Sequence, residues 1–501
     1  QEIKGEEIST RLTDHFEPGF LPLSLLFHLW DDVRLLLIAQ AAELALAALP
    51  VLCFVALAPQ GSRLRHAEAV VAGLWAALAY LLAPQGQAAT VADFHAAPLA
   101  ALPLALFLYL GMRHYTAPAS VMAVASLCVK EEISLLVAAA SFYLATARRW
   151  RPGWVVMILA LAWFGATTFI LIPHYSEAYY GRAQSPYLAR YQGLDDLDTS
   201  EHELLGRARV ALEPVLSLQR LTYLAGLLLA FGGMPLLAPE LLLVTSPSIA
   251  ANLLSNYDAM YSGEFHYSAP FLSLLACAAG VGAYRWLRLM SGRGVWLRRL
   301  AILPLLAVPF AYHVLEGYTP LGAEYPLHRP QVNEHHRLLS QFSEQVPRDA
   351  SLSTVPSLHP HFSHRQFIYT FPNLAEAEYV LLDVTGTTDM HPADFRRAFD
   401  RLRQEGYGVI DSADGYVLLR AGAPDQGLSE AFLSFARPEA PPAHPLDVTF
   451  GTSVRMLGYD WVDDPKWGLA RLRLYWEPQA ALGESLAPYV IFADDYGRVL
   501  T

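Results

Sequence analysis

Lysine is nearly absent from this chain: of 35 basic side chains only Lys4, Lys130 and Lys466 are lysines. Charge of any sign is scarce, at 16 % of residues against roughly 25 % in soluble domains, and the mean hydropathy is +0.27. That shortage excludes a wholly soluble protein. The net charge of −12 argues against a nucleic-acid partner. Cysteine is limited to Cys53, Cys128 and Cys277, each inside an apolar segment, so a disulfide framework is excluded and the three read as small hydrophobes. A signal peptide is also missing from view. The chain opens on Gln1 and stops at Thr501 in the middle of a strand-like pattern, so it reads as a fragment at both ends.

What is present instead is a succession of apolar runs between residues 19 and 316, followed by ordinary globular sequence. Segments near 33–57, 67–83, 96–112, 153–173, 215–236, 266–288 and 299–316 are each long enough to cross a hydrocarbon core of roughly 30 Å, the shorter ones with tilt or thinning. Arg63 and Arg65, Arg113, the Arg148-Arg149-Arg151 group and the arginines between 285 and 299 mark cytoplasmic loops. Arg113 and Arg148 then share a side, so 115–147 goes in and comes back as a hairpin. Segment 239–255 must also cross. The expectation is about ten crossings over residues 1–316, with everything after them outside the cell membrane.

The same parity puts the acids, histidines and tyrosines on the outer face. Lys130-Glu131-Glu132 sits at the tip of the hairpin. A charge at the centre of a membrane helix costs roughly 2.5–3.5 kcal/mol, so such charges are expected to face something useful, although headgroup solvation at a hairpin turn explains them equally well. Asp14-His15 and Asp93-Phe94-His95 each place a carboxylate beside an imidazole. Such a pair binds a divalent cation through oxygen and nitrogen, or orients a general base; it also occurs as a simple loop cap. Asp14, Asp93 and His95 are the metal candidates. His266-Tyr267 opens an apolar segment where tyrosine is a routine interfacial anchor. Arg182, Arg190, Arg207 and Arg209 lie on a long outer loop, where a guanidinium fork suits a phosphate.

Taken in order, DHFEP (14–18), Gln40 within LLLIAQAAELALAALP, DFH (93–95), KEE (130–132), HYSAP (266–270) and VPRDASLSTVPSLHPHFSHRQFIYTFP (346–372) resemble a family of predicted polytopic membrane proteins catalogued as domain of unknown function 2079. The likeness covers about residues 10 to 420. It implies a distant kinship with the GT-C glycosyltransferases, integral membrane enzymes that take sugars from polyprenyl-phosphate carriers at the outer face and carry a catalytic acid in an early outer loop. Two departures are mild: Glu132 stands third in a KED-like motif, and Ala96 follows DFH where proline is expected. A third is larger, since the family's first hydrophobic segment and most of its first outer loop precede Gln1.

Beyond the membrane part, alternating helix-like and strand-like pieces between 330 and 421 make a small α/β domain. A Pro-rich linker follows at 437–445, and residues 446–501 read as a truncated β-sandwich. The fold class is therefore mainly α: a polytopic, GT-C-like helical domain, then an outer α/β domain and the sandwich. The expected activity is transfer of a sugar from a polyprenyl-phosphate donor to a glycan, lipid or protein acceptor. Asp14 would be base or metal ligand, supported by His15, Asp93 and His95. Lys130, held by Glu131 or Glu132, would face the leaving phosphate, and Glu132, His266, Tyr267 and Arg182 would contact substrate. The other readings are a transporter or flippase of a lipid-linked saccharide, and a non-catalytic sugar-binding surface protein.

Overall fold

The computed structural model describes residues 2–4, 7–9, 11–57, 63–181, 190–191, 216–291, 293, 295–325, 332–386, 390–438, 440–464 and 469–480. The chain divides into two compact units, Gln1–Ala377 and Glu378–Thr501. The division falls inside the 330–421 stretch.

The first unit is built around the helix Ala269–Ser291. Phe271, Leu272, Leu274, Leu275, Cys277 and the alanines between them are almost wholly buried, because a small-residue face lets neighbouring helices approach closely. Gly282 is the tightest point: a Cβ there would stand 1.9 Å from the Met234 carbonyl oxygen. Packed around this helix are Ala48–Ala56, Arg63–Leu82, Ala101–Met112 and Pro239–Leu254. Their outer faces carry apolar side chains in the open. Val155, Ile158, Leu159, Phe169 and Ile170 of the 152–178 helix are all more than half exposed, which in water would be a large unfavourable patch and in lipid is the expected surface.

Three helices are long and apolar enough to cross a membrane by length and composition: Arg34–Ala56, Pro152–Ala178 and His266–Met290. The pair His66–Leu82 and Pro84–Val91, bent by 43°, makes a fourth if it is one broken span. Ala97–Met112, Thr116–Leu127, Ile133–Ala147 and Ile302–Glu316 are apolar but shorter. The segment expected over 215–236 is shortened to the helix Leu218–Leu229. Gly232 and Gly233 follow it at φ +55° and +73°, a left-handed pair that ends the helix and turns the chain. The cysteines are all unpaired.

The 115–147 hairpin is present. Thr116–Leu127 and Ile133–Ala147 are joined by residues 128–132, and the charged triplet forms the connection. It is not solvated: Lys130 is 5 % exposed and Glu131 0 %. The covering comes from the N-terminal segment. Gly19 donates its N–H to the Cys128 carbonyl at 2.7 Å, and a Cβ on Gly19 would lie 2.9 Å from that oxygen. Glycine is what allows the loop to lie this close. Within the same unit, strands Leu352–Thr354 and Ile368–Thr370 pair in parallel. His364 Nδ1 reaches Asp31 Oδ1 at 2.6 Å and its ring stands edge-on to Phe27 at 4.7 Å. The post-membrane segment is thus tied to the loop just before the helix Arg34–Leu46.

In the second unit, strand Tyr379–Asp383 pairs antiparallel with Tyr416–Ala421, which pairs in turn with Tyr407–Ala413. The hairpin turns on Asp414 and Gly415 at φ +48° and +86°, the Asp-Gly chemistry that a two-residue turn requires. Helix Pro392–Gln404 precedes this hairpin. Strands His444–Phe450, Val454–Asp464 and Leu469–Pro478 form one antiparallel sheet; residues 481–501 lie outside the described residues.

Candidate functional site

The ends of several helices carry polar side chains that the fold brings together over long sequence distances. His15 Nδ1 lies 2.8 Å from Glu131 Oε1, and the Phe16 N–H donates to Glu131 Oε2 at 3.1 Å. Both oxygens of this fully buried carboxylate are therefore satisfied. Burial would raise the Glu131 carboxyl, but hydrogen bonding to His15 and the charges of His15 and Lys130 outweigh it and hold it below its ordinary value. When neutral and donating from Nδ1 to this carboxylate, the imidazole would carry its lone pair on Nε2, the arrangement of an oriented general base.

Lys130 Nζ donates to Glu132 Oε1 at 3.1 Å. Burial works against the ammonium, yet Glu132 and Glu131, then Glu17, more than offset it, so the side chain stays charged above its usual range. Glu17 is itself buried and paired with Arg11 Nε at 2.9 Å. Glu132 Oε2 is buried and meets no hydrogen-bond partner among the described residues.

The third element is the loop 92–96. Gln40, 1 % exposed, is a buried polar residue of a mainly apolar helix, and it pins this loop. Its Nε2 donates to the Ala89 carbonyl at 2.7 Å, and its Oε1 accepts from the His95 N–H at 2.9 Å. Gln40→Leu is expected to destabilise the protein by about 1–3 kcal/mol, because it strands a His95 N–H that is now paired. Thermal unfolding in detergent measures this, and an unchanged midpoint would show that the loop is held by something else. The His95 ring stacks on His266 with centroids 3.5 Å apart and planes 19° apart. Burial holds His95 below the ordinary imidazole range, against the opposing charge of Asp93. Lys130, Arg190, His15 and His95 all lie within electrostatic reach of His266, whose Nδ1 is buried without a partner among the described residues.

Beside Glu132 opens a shallow cleft with about 390 Å³ of free space, its solvent-open part included. Glu132, Asn252, Tyr267, Met260, Pro247 and Pro270 are on its walls. Asn252 Nδ2 donates to Tyr223 Oη at 2.8 Å, and that hydroxyl shares a hydrogen bond with Ser268 Oγ at 2.9 Å. The Arg190 guanidinium sits 5.8 Å from the Tyr257 ring and 6.0 Å from the Tyr267 ring.

Among the sequence candidates, His15, Lys130, Glu131, Glu132, His95, His266 and Tyr267 are thus neighbours or linked by charge. Asp14 is half-buried next to His15. Asp93 pairs only loosely with His95, at 3.3 Å, with its side chain 82 % exposed. Among the described residues no three His, Cys, Asp or Glu side chains are grouped to hold a metal ion. Arg182 lies outside the described residues; Arg190, from the same loop, is the arginine found here. Asn252, Tyr223 and Gln40 complete the constellation. In the sequence Gln40 is signalled by its motif, and Asn252 and Tyr223 by nothing local.

Comparison with curated proteins and with solved structures gives no match. Comparison with protein families matches residues 1–418 to the family described as "Predicted membrane protein (DUF2079)". With more than four-fifths of its length matched and its apolar helices arranged as above, the chain belongs to the DUF2079 family of predicted membrane proteins.

Proposed function

We propose that this protein is a GT-C-like membrane glycosyltransferase that moves a sugar from a polyprenyl-phosphate donor to an outer-surface glycan, lipid or protein. In this reading the membrane domain makes about ten crossings and the C-terminal domains lie outside. The observation that supports it best is the buried His15–Glu131 pair, set beside the buried Lys130 cation at the ends of apolar helices. A base and a cation in a poorly hydrated site are the two devices that this transfer needs.

The acceptor hydroxyl gives its proton to His15 Nε2 as its oxygen attacks the anomeric carbon. The bond from that carbon to the phosphate oxygen breaks, and its electron pair stays on the polyprenyl phosphate. Glu131 holds the imidazole in the required tautomer and stabilises the imidazolium that forms. Two cations face the leaving group. Lys130 is already shared between Glu131 and Glu132, so its charge is partly compensated. Arg190 meets no carboxylate among the described residues and takes the larger share. Two unit charges about 4 Å apart attract by about 4 kcal/mol at an effective dielectric of 20. Asp14, Asp93 and His95 support the His15–Glu131 pair from neighbouring loops.

The test is conversion of a radiolabelled polyprenyl-phosphate sugar by purified protein in detergent, with free polyprenyl phosphate as the product followed. Donor that binds and crosses a liposome bilayer without ever releasing lipid phosphate would replace the transferase by a flippase. Donor that neither reacts nor crosses would leave only a sugar-binding protein.

A further inference from the structure

On the cleft beside Lys130, Glu132 and Asn252 present acceptors, while the hydroxyls of Ser248 and Tyr267 are the donors on its walls. Glu132 spends Oε1 on Lys130 and leaves Oε2 buried without a partner among the described residues. Asn252 spends its Nδ2 on Tyr223 Oη, with the Tyr267 carbonyl at 3.5 Å, so its remaining polar atom is the accepting Oδ1. Asn252 is 3 % exposed, and its orientation is set by that network. Facing these acceptors is an apolar wall of Tyr267, Pro247, Met260 and Pro270.

A buried acceptor left without a donor, as Glu132 Oε2 is among the described residues, persists where something else supplies the donor. A phosphate or carboxylate cannot, since it brings only acceptors and a charge that Glu132 repels. A pyranose brings several O–H donors on its edges and a C–H face that lies well against an aromatic ring. We infer that this cleft holds the sugar ring of the substrate, and that Glu132 and Asn252 make it selective for neutral or amino sugars over carboxylate-bearing ones. The inference rests on the transferase reading for the sugar's being a donor, but not for its binding. It also separates the two parts of the donor. The ring lies against Tyr267 and Glu132, and the phosphate lies toward Arg190, which stands over the Tyr267 ring.

The decisive substitution is Glu132→Gln. Its amide oxygen can keep Lys130 while its NH₂ takes the place of the unpartnered oxygen, so an acceptor becomes a donor and a charge is removed. Binding is read by saturation-transfer NMR on the whole chain in nanodiscs, with methyl glucoside, methyl glucosaminide and methyl glucuronide as probes. Wild-type protein is expected to bind the first two and to reject the glucuronide. E132Q should lose about tenfold for the glucosaminide, the size of one charge-assisted hydrogen bond, and gain for the glucuronide. N252A should weaken all three without changing their order, and it keeps the test open if E132Q does not fold. Equal binding of glucuronide and glucoside by the wild type, no binding of any probe, or an order unmoved by E132Q overturns the inference. The outcomes also separate the two claims. The expected binding order without transfer from any polyprenyl donor removes the transferase reading and keeps the sugar site. Transfer that is indifferent to Glu132 and Asn252 does the reverse.

Discussion

His15→Ala is expected to lower sugar transfer by about 10²–10⁴-fold, the usual size of a general-base contribution. Alanine alone cannot separate chemistry from packing, because it also strips a hydrogen bond from the buried Glu131. His15→Asn does separate them. Its side-chain NH₂ stands near the position of the imidazole Nδ1 and keeps a donor on Glu131 Oε1, which is now 2.8 Å from that nitrogen. It has no basic nitrogen to take a proton. The expected result is a protein with near wild-type thermal stability and the full loss of rate. Glu131→Gln keeps the Phe16 N–H contact but removes the charge that stabilises the imidazolium, and it should fall between wild type and H15N. Initial rates of transfer, with the unfolding midpoint of each variant, are the measurements. If H15N transfers sugar like the wild type, the base is elsewhere, and Asp14 is the next residue to replace.

The polar clusters were visible in the sequence as local pairs, but their partners were not. Lys130-Glu131-Glu132 reads as a hairpin turn because apolar runs flank it on both sides, and that turn is where the structure has it. Nothing local says that it is buried. Its cover comes from His15 and Phe16, 116 and 115 positions away, and long-range pairing leaves no periodic trace. Asp93-Phe94-His95 shows how spacing alone underdetermines geometry. Its spacing suits metal ligation, but the Gln40 bond at the His95 N–H fixes a loop in which Asp93 is exposed and His95 stacks on His266. Gln40 was legible as part of a recurring motif, and Asn252 carried no local signal of its own. Which backbone or hydroxyl they served needed the packing. The 215–236 run shows the limit of reading length from hydropathy, since the Gly232-Gly233 pair turns the chain without lowering its apolar character. The strands of the second unit were more legible, because short apolar runs such as Tyr379–Asp383 and Tyr416–Ala421 are bounded by polar and turn-forming residues.

Lys130→Met is expected to be the most destabilising single change outside the apolar core, at about 3–5 kcal/mol, the range for breaking a buried ion pair on one side. Lys130 is 5 % exposed and Glu131 0 %, and Glu17 and Glu132 lie within its field. Removing the ammonium leaves carboxylates facing one another with Arg11 as the nearby cation, bound to Glu17. Glu131 keeps His15 and Phe16; Glu132 keeps no partner at all among the described residues. The loss should therefore be concentrated on Glu132, and Lys130→Met with Glu132→Leu together should recover a large part of it, since a matched apolar pair avoids both desolvation penalties. A double-mutant cycle on chemical unfolding in detergent, followed by tryptophan fluorescence, gives the coupling directly. The cycle also tests what the lysine is for. If K130M costs less than about 1 kcal/mol, the value of a surface pair, the triplet is solvated and the buried site fails with it. If the double variant regains stability but not transfer, the charged pair serves the chemistry rather than the fold.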